Sequence, residues 1–345
     1  MLDQYKKWFH LLALILFFPA LIQNANAFTK KGTTAADFLK IGVGARSVGM
    51  GSATAGTPEG LDALYWNPAG LAGSVKRQFG GTHASWIASI SHDFLAISAP
   101  IHRTMTIGAF AITLGTDEME QTTILNPEGT GIYFDYRELA LGAGLGAQLT
   151  DRFRIGGVVK VIHTRAFNEQ ATAFAIDVGT HLVTAWHGLS IGMAVANFGS
   201  NMKLDGSDLI IEGDQEPGLS GNDLREARLE TNEYPLPLTF RLGVAMDILD
   251  VDQAIWLSQI HRITIALAGD HFAENVEQLH AGVEYSFREF FFLRGGYTFG
   301  DDSRTWTAGA GMAFSASGVG IHADFAYESM GVFDLVPRIG LAIEF

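Results

Sequence analysis

LVPRIGLAIEF, residues 335–345, alternates between large apolar side chains and small or charged ones. One face holds Leu335, Pro337, Ile339, Leu341, Ile343 and Phe345, and the other holds Arg338, Gly340, Ala342 and Glu344. Successive side chains of a β-strand point to opposite faces, whereas the period of a helix is longer. The stretch therefore predicts a strand with one face that is apolar along its whole length.

The same alternation recurs at short intervals back to residue 79. We predict fourteen strands, at 79–87, 90–99, 104–115, 134–149, 152–167, 171–184, 189–199, 238–249, 261–272, 277–288, 290–300, 305–314, 319–329 and 335–345. Several of these reach the roughly 9–11 residues that cross a bilayer when tilted, and bacterial barrels have even strand numbers. The pattern predicts an all-β fold, an antiparallel transmembrane β-barrel of about fourteen strands.

The apolar face of these strands holds large residues and lacks charged ones. A charge that faces lipid at the bilayer midplane costs roughly 2–4 kcal/mol, so this absence is informative. A soluble β-sandwich or propeller is the alternative, but its exposed face would carry many Lys, Glu and Thr residues. We therefore expect outer-membrane lipids as partners. Phe345 resembles the aromatic last residue of outer-membrane proteins, which implies recognition by the barrel assembly machinery.

The connections between predicted strands differ in length according to a simple rule. The long ones, 116–133 and 200–237, both join an odd strand to an even one, and the tight ones join even to odd. Outer-membrane barrels have short periplasmic turns and long external loops, so both termini of the chain should lie in the periplasm. The connection 250–260 is an exception, because it has medium length on the predicted short side.

Composition narrows the possible functions. The 345 residues carry a formal net charge of −14, which argues against nucleic acid as a partner, since phosphate binding needs clusters of Lys and Arg. The absence of cysteine removes thiol catalysis and cysteine zinc sites. Mean hydropathy is positive although no second long apolar run is present, which suits a barrel better than a helical membrane bundle.

The first residues have the pattern of a secretory signal peptide. Lys6 and Lys7 precede the apolar run 8–22, and Ala25-Asn26-Ala27 supplies the small residues of a cleavage site. A transmembrane anchor is the alternative, but the run is short for one. We expect residues 1–27 to be removed, 28–75 to form a separate N-terminal segment and 76–345 to form the barrel.

Residues 36–73 do not alternate as a strand does. They contain GARSVGMGSA (44–53) and ALYWNPAGL (63–71), preceded by FLKI (38–41). These blocks resemble the N-terminal signature of the PorV/PorQ family of outer-membrane proteins, within the wider superfamily of the fatty-acid transporter FadL. The resemblance implies that the segment is a hatch that folds into the barrel lumen.

The hatch residues that the resemblance marks are Gly44, Arg46, Gly49, Met50, Gly51, Asn67, Pro68, Ala69 and Gly70. Pro68 fixes its own backbone and biases Asn67 towards an extended or turn geometry. Inward glycines on the strands, such as Gly144 and Gly309, favour a filled lumen, because they let another segment approach the wall. The alternative is that the motif serves only folding and wall packing, without gating.

Charged residues on the inward face should be paired, since an isolated buried charge is costly. We expect Arg46 to pair with one of four inward carboxylates, which are Asp177, Glu284, Asp324 and Glu344. The alternative places Arg46 in water near the periplasmic mouth.

Motifs that suggest catalysis or cofactors are weak. The G-x-S-x-G match at 188–192 lies in a continuing strand pattern, so we expect Ser190 to be an inward strand residue and not a nucleophile. Gly42-Val43-Gly44 lacks the spacing and context of a nucleotide loop. Calcium binding at Asp205, Asp208, Glu212 and Asp214 is an alternative to a plain solvated loop. We expect no enzyme activity, no cofactor and no metal.

Two functions remain open. By its resemblance to PorV/PorQ, the chain would be a non-enzymatic component of protein secretion or surface attachment of the type IX kind, with secretion components or cargo proteins as partners. The alternative is a FadL-type passive transporter of long-chain fatty acids or other hydrophobic small molecules.

Overall fold

A computed structural model describes residues 32–213, 225–274, 277–301 and 303–345; the predicted signal peptide, residues 1–27, lies outside the described residues. The barrel strands are β1 Gln78–Ser85, β2 Ser91–His102, β3 Met105–Gly115, β4 Tyr136–Gln148, β5 Phe153–Ala166, β6 Glu169–Val183, β7 Ser190–Gly199, β8 Thr239–Asp250, β9 His261–Phe272, β10 Gln278–Phe287, β11 Phe291–Phe299, β12 Trp306–Ala316, β13 Val319–Ser329 and β14 Leu335–Glu344. Each strand pairs antiparallel with the next, and β1 also pairs with β14. The predicted fourteen-stranded barrel is confirmed.

The seam between β1 and β14 closes the barrel. Its register runs from Gln78 opposite Glu344 to Ala84 opposite Arg338. Two further backbone bonds, at 3.0 and 3.2 Å, join Phe345 to Arg77 beyond the last strand residue. Predicted strand boundaries agree with the structure within three residues, because the alternation ends where the wall ends.

The connections divide between the two rims as expected. Two to six residues link strands at the rim that bears Phe345, as at 103–104 and 184–189, and the long connections 116–135 and 200–238 lie at the other rim. The exceptional connection 251–260 contains a short strand, Trp256–Leu257, that pairs parallel with the end of β8. This strand extends the wall at the short-connection rim and explains the extra length.

The two faces of the wall differ in the way that the alternation predicted. Outward side chains are large and apolar, as at Phe174, Phe198 and Ile339. Inward charged side chains such as Glu284 and Arg338 are buried. No helix in the described part of the chain is long and apolar enough to cross a membrane.

The segment before β1 lies in the lumen and is called the hatch, residues 32–77. It contains two helices, α1 Ala45–Gly49 and α2 Ala63–Trp66, and two 3-10 turns, Asp37–Lys40 and Pro68–Gly73. The elements are short because residues with positive φ, among them Gly44 and Gly51, reverse the chain between them. Most hatch side chains are buried, so the hatch fills the lumen as a plug.

Candidate functional site: the hatch and the barrel wall

Arg46 is the centre of a charged contact between the hatch and strands β10–β13. Its guanidinium donates to both oxygens of Glu284, at 3.0 and 2.9 Å, and this bidentate arrangement is a strong one. Glu284 also accepts from Arg294 at 2.6 Å, and Arg294 donates to Asp324. Glu284 is thus the partner of Arg46 among the four predicted carboxylates. We call Arg46, Glu284, Arg294 and Asp324 the charged anchor.

Arg46 is also partly exposed to solvent. Its side chain is 20% exposed and lies 3.1 Å from Glu59, which is itself 63% exposed. The neighbouring hatch residues Gly49 and Gly51 lie against the wall, where a Cβ on Gly51 would come within 2.8 Å of the Tyr297 amide nitrogen. Met50 is fully buried between them.

Asn67, Pro68 and Ala69 hold the hatch against β4–β7 by a different kind of contact. The Asn67 amide donates to the carbonyls of Ala55 and Thr180, both at 3.1 Å, and its carbonyl accepts from the Ala69 N–H. The wall opposite carries inward glycines, which are Gly146, Gly156, Gly179 and Gly192.

These glycines are required by the close approach of the hatch backbone. A Cβ on Gly156 would lie 2.2 Å from Pro68, and one on Gly179 would lie 2.1 Å from Asn67 Oδ1. Gly70 similarly leaves room for the Pro58 carbonyl. We call residues 67–72 and the four facing glycines the glycine anchor.

An apolar cluster occupies the lumen towards the long-connection rim and is called the apolar column. Its wall residues include Phe94, Phe110, Ile112, Leu114, Val158, Ile162 and Ala173, and its hatch residues include Phe38, Leu39, Leu61, Leu64 and Leu71. Met202 and Leu236 from the connection 200–238 cover it. Porin interiors are polar, so the apolar inward face of this part of the wall distinguishes the barrel from a porin.

The start of the hatch closes the apolar column at that rim. The Ala35 N–H donates to the Pro235 carbonyl at 2.9 Å. Lys40 donates to Glu274 at 2.5 Å, and the Glu274 side chain is buried. Burial raises the pKa of the Glu274 carboxyl. The hydrogen bonds from Lys40 and Thr34 and the charge of Lys40 lower it by more, so the pKa lies below its ordinary value.

The other end of the lumen is polar and open. A cavity of about 470 Å³ is lined by Arg46, Glu59, Asp62 and Arg154, among others. Burial raises the pKa of Asp62 from its ordinary 3.8 to about 6, although the Ser47 hydroxyl, which donates to Asp62 at 2.7 Å, opposes the shift. The lumen therefore changes from apolar to charged along the barrel axis.

Sequence reasoning missed the contact that Arg241 of strand β8 makes with the hatch. Arg241 lies over the rings of Tyr65 and Trp66, at 4.8 and 5.0 Å from the ring centroids, and donates to the Tyr65 carbonyl. Arg241 lies on the inward face of β8, and the Tyr65 carbonyl to which it donates is 176 residues away in sequence. No local pattern indicates such a contact.

The remaining candidates have structural roles. Ser190 is buried and donates to the carbonyls of Gly56 and Ala245, as an inward strand residue would. Two histidines of the wall strands, which alternation places on the inward face, also have polar neighbours: His280 bonds to Thr298, and His322 lies near Glu344.

Two members of the proposed calcium set have other partners: Asp205 pairs with Arg228, and Asp208 accepts from Asn168. Asp214 lies outside the described residues. Within the described ranges, no three His, Asp or Glu residues group as metal ligands would.

Comparisons with known proteins find similar structures but no matching sequence family. No family model matches the chain, and no curated protein matches it. The structure resembles the CymD monoaromatic hydrocarbon channel, with 12% identity, a TM-score of 0.56 and coverage of 88% of this chain and 97% of that one.

Two further solved structures agree with that resemblance. The Ralstonia pickettii toluene transporter TbuX matches with 14% identity, a TM-score of 0.53 and coverage of 88% and 97%. A Pseudomonas aeruginosa FadL homologue matches with 12% identity, a TM-score of 0.53 and coverage of 88% and 98%. At these identities the similarity shows that the three proteins share the barrel fold of this chain. None of these three structures is described as a PorV/PorQ protein.

Proposed function

We propose that the chain is a passive outer-membrane conduit for hydrophobic small molecules. The observation that carries this proposal is the apolar column on the inner side of the wall. An apolar molecule gains free energy on leaving water for apolar surroundings, whereas a polar solute would lose hydrogen bonds there. Similarity in fold to hydrocarbon and toluene transporters supports the same proposal.

Passage requires the hatch to move. Leu39, Leu64 and Leu71 are each at most 1% exposed, so the apolar column is packed and leaves no open path among these side chains. A molecule entering from the long-connection rim passes Met202 and Leu236, which cover the column. The first hatch residues that it meets are Phe38 and Leu39, next to the contact of Ala35 with Pro235. We infer that these first hatch residues are displaced when a ligand enters.

A substitution in the apolar column tests the conduit. Phe38→Ala shortens a hatch side chain in the column, and Phe174→Ala makes the same change on the outward face of β6, where Phe174 is 65% exposed. Uptake of labelled toluene and labelled oleate is measured in cells that lack their own FadL-type proteins, with sucrose as the polar control. We expect the wild type to raise uptake of at least one apolar probe, and Phe38→Ala to raise it further.

The control variant should behave as the wild type does. Equal uptake by cells with the wild type, with Phe38→Ala and without the protein would reject the conduit. A rise in sucrose uptake equal to the rise for the apolar probes would indicate a nonselective hole instead.

A secretion or surface-attachment component is the second candidate. The observation that favours it is the resemblance of residues 44–53 and 63–71 to PorV/PorQ proteins. Affinity purification from detergent-solubilised membranes, with mass spectrometry of proteins and lipids, separates the two. Stoichiometric recovery of secreted proteins favours attachment, whereas recovery of apolar small molecules alone favours the conduit.

A further inference from the structure

A polar cluster lies on the outward face of β1 and β2, beside exposed apolar side chains such as Leu95 and Ile339. Asp93 Oδ1 lies 2.7 Å from His83 Nδ1, and His83 Nε2 lies 3.5 Å from Ser85 Oγ. We propose that Ser85, His83 and Asp93 form a hydrolytic triad that cleaves carboxylic esters of lipids at the outer surface of the barrel. This site is separate from the lumen and independent of the conduit.

The strand geometry fixes the order of the three groups. His83 and Ser85 are two residues apart, so both project from the same face of β1. The antiparallel register places Asp93 of β2 directly opposite His83. A paired sheet holds side chains more rigidly than a loop does, which suits a site that depends on alignment.

Ser85 has the role of nucleophile, His83 that of general base and Asp93 that of the carboxylate that orients the base. If His83 Nδ1–H donates to Asp93, the Nε2 atom is left as an acceptor that faces the Ser85 hydroxyl. The 3.5 Å separation is longer than a formed hydrogen bond, and such contacts are often loose before substrate binds. A small rotation of Ser85 about χ1 changes this distance without moving the backbone.

The chemistry needs only the ester and water. Ser85 Oγ attacks the carbonyl carbon as His83 Nε2 takes the hydroxyl proton, and the bond from that carbon to the alkoxy oxygen then breaks. His83 returns the proton to the leaving alcohol, which leaves an acyl ester on Ser85. Water attacks this ester with His83 again as base, and the products are a carboxylic acid and free Ser85.

The position of the cluster indicates the substrate class. It lies close to the rim with the long connections, at the end of β1 and the start of β2. Leu95, Leu341 and Ile339 follow on the same outward face and are exposed, so acyl chains would lie along them. Esters of membrane lipids lie between hydrocarbon and headgroups, and a charged outward residue is cheapest at that boundary. Lipids with ester-linked acyl chains are therefore the matching class.

The test uses the full chain, purified in detergent from a host without outer-membrane lipases. The probes are p-nitrophenyl laurate in micelles and phosphatidylcholine vesicles, with Ser85→Ala and His83→Ala as the variants. Ser91→Ala is the matched control, because Ser91 lies opposite Ser85 on β2, on the same face. We expect ester hydrolysis by the wild type and by Ser91→Ala, and a loss of about 10²–10⁴-fold in both variants.

Asp93 is a positioning residue and needs its own readout. Asp93→Asn should lower kcat and leave KM unchanged, because it disturbs the orientation of His83 and not lipid binding. A fluorophosphonate probe should label Ser85 in the wild type and fail in His83→Ala, with heat-modifiable gel migration reporting that each variant is folded. Absence of hydrolysis and labelling in folded wild type would overturn the triad, as would equal activity in Ser85→Ala.

Discussion

The hatch is held against opposite sides of the barrel by two different kinds of contact. The charged anchor uses long side chains that meet end to end, from Arg46 to Glu284 and Arg294. The glycine anchor uses no long side chains, since the backbone at Pro68 lies directly on Gly156. The first depends on charge and geometry. The second depends on close backbone contact, which the absence of a side chain on the glycines allows, and on the hydrogen bonds of the short Asn67 amide.

The difference determines how each contact responds to change. A buried ion pair is costly to break from one side, but its partners can rotate to other groups, such as Glu59 beside Arg46. Backbone-to-backbone packing has no rotamers to adjust, so an added methyl group must move the hatch. We therefore expect the charged anchor to be the side that can be released and remade, and the glycine anchor to be the fixed side.

The largest effect should come from Glu284→Gln. The change keeps the size of the side chain but leaves Arg46 and Arg294 facing a neutral amide. We expect a loss of about 3 kcal/mol in the free energy of unfolding, near the lower limit for breaking a buried pair, because Asp324 still serves Arg294. Denaturant unfolding followed by heat-modifiable gel migration measures the loss.

Glu289→Gln is the matched control for that variant. Glu289 is 75% exposed and lies 3.5 Å from Arg262, so its removal should cost roughly 0–1 kcal/mol. Equal losses in the two variants would show that the charged anchor contributes no more than a surface pair does.

The sequence indicated three members of the charged anchor, Arg46, Glu284 and Asp324, but neither Arg294 nor the way in which the four residues pair. Alternation put Glu284, Asp324 and Glu344 on the inward face, because period two needs only local information. It could not choose among them, since Arg46 and Glu284 are 238 residues apart and their meeting depends on how the barrel closes. The outward pair His83 and Asp93 departs from the expectation that the outward face lacks charges. Both residues lie within predicted strands, 79–87 and 90–99, close to the long-connection rim, where an outward charge costs little.

Arg46→Ala should have the next largest effect. Glu284 keeps its bond from Arg294, so the variant loses two charge-assisted hydrogen bonds without leaving a bare carboxylate. We expect a loss of about 1.5–3 kcal/mol. A double-mutant cycle of Arg46→Ala with Glu284→Gln should be non-additive, since the two residues touch. An additive cycle would mean that they do not stabilise the hatch through each other.

Gly156→Ala tests the glycine anchor. The new Cβ would lie 2.2 Å from the carbonyl group of Pro68, so either the hatch or β5 must shift. Overpacking of this kind costs about 1–3 kcal/mol. The adjacent Gly157 faces outward with only the Asp177 carbonyl at 3.6 Å, so Gly157→Ala should leave the unfolding midpoint unchanged. A tolerated Gly156→Ala would mean that the hatch is loosely seated there.

The smallest change in the free energy of unfolding should come from a substitution of Asp62. Asp62 follows the charged anchor in the hatch and accepts a hydrogen bond from Ser47 in α1. Burial raises its folded pKa to about 6 from an ordinary 3.8, so the folded state holds this proton more tightly than the unfolded chain does. Below about pH 4 both states are protonated and Asp62 has no net effect. As the pH rises from 4 to 6, ionisation increasingly destabilises the folded state.

Asp62→Asn removes that titration and keeps an acceptor for the Ser47 hydroxyl. The variant should match the wild type at pH 4 and be more stable at pH 7, by less than the losses above, because Asp62 lines an open cavity where water screens its charge. Comparing the two proteins at each pH cancels the contributions of all other titratable groups. A stability difference that is already present at pH 4 and does not grow would show that Asp62 acts on the hatch through packing and not through its charge.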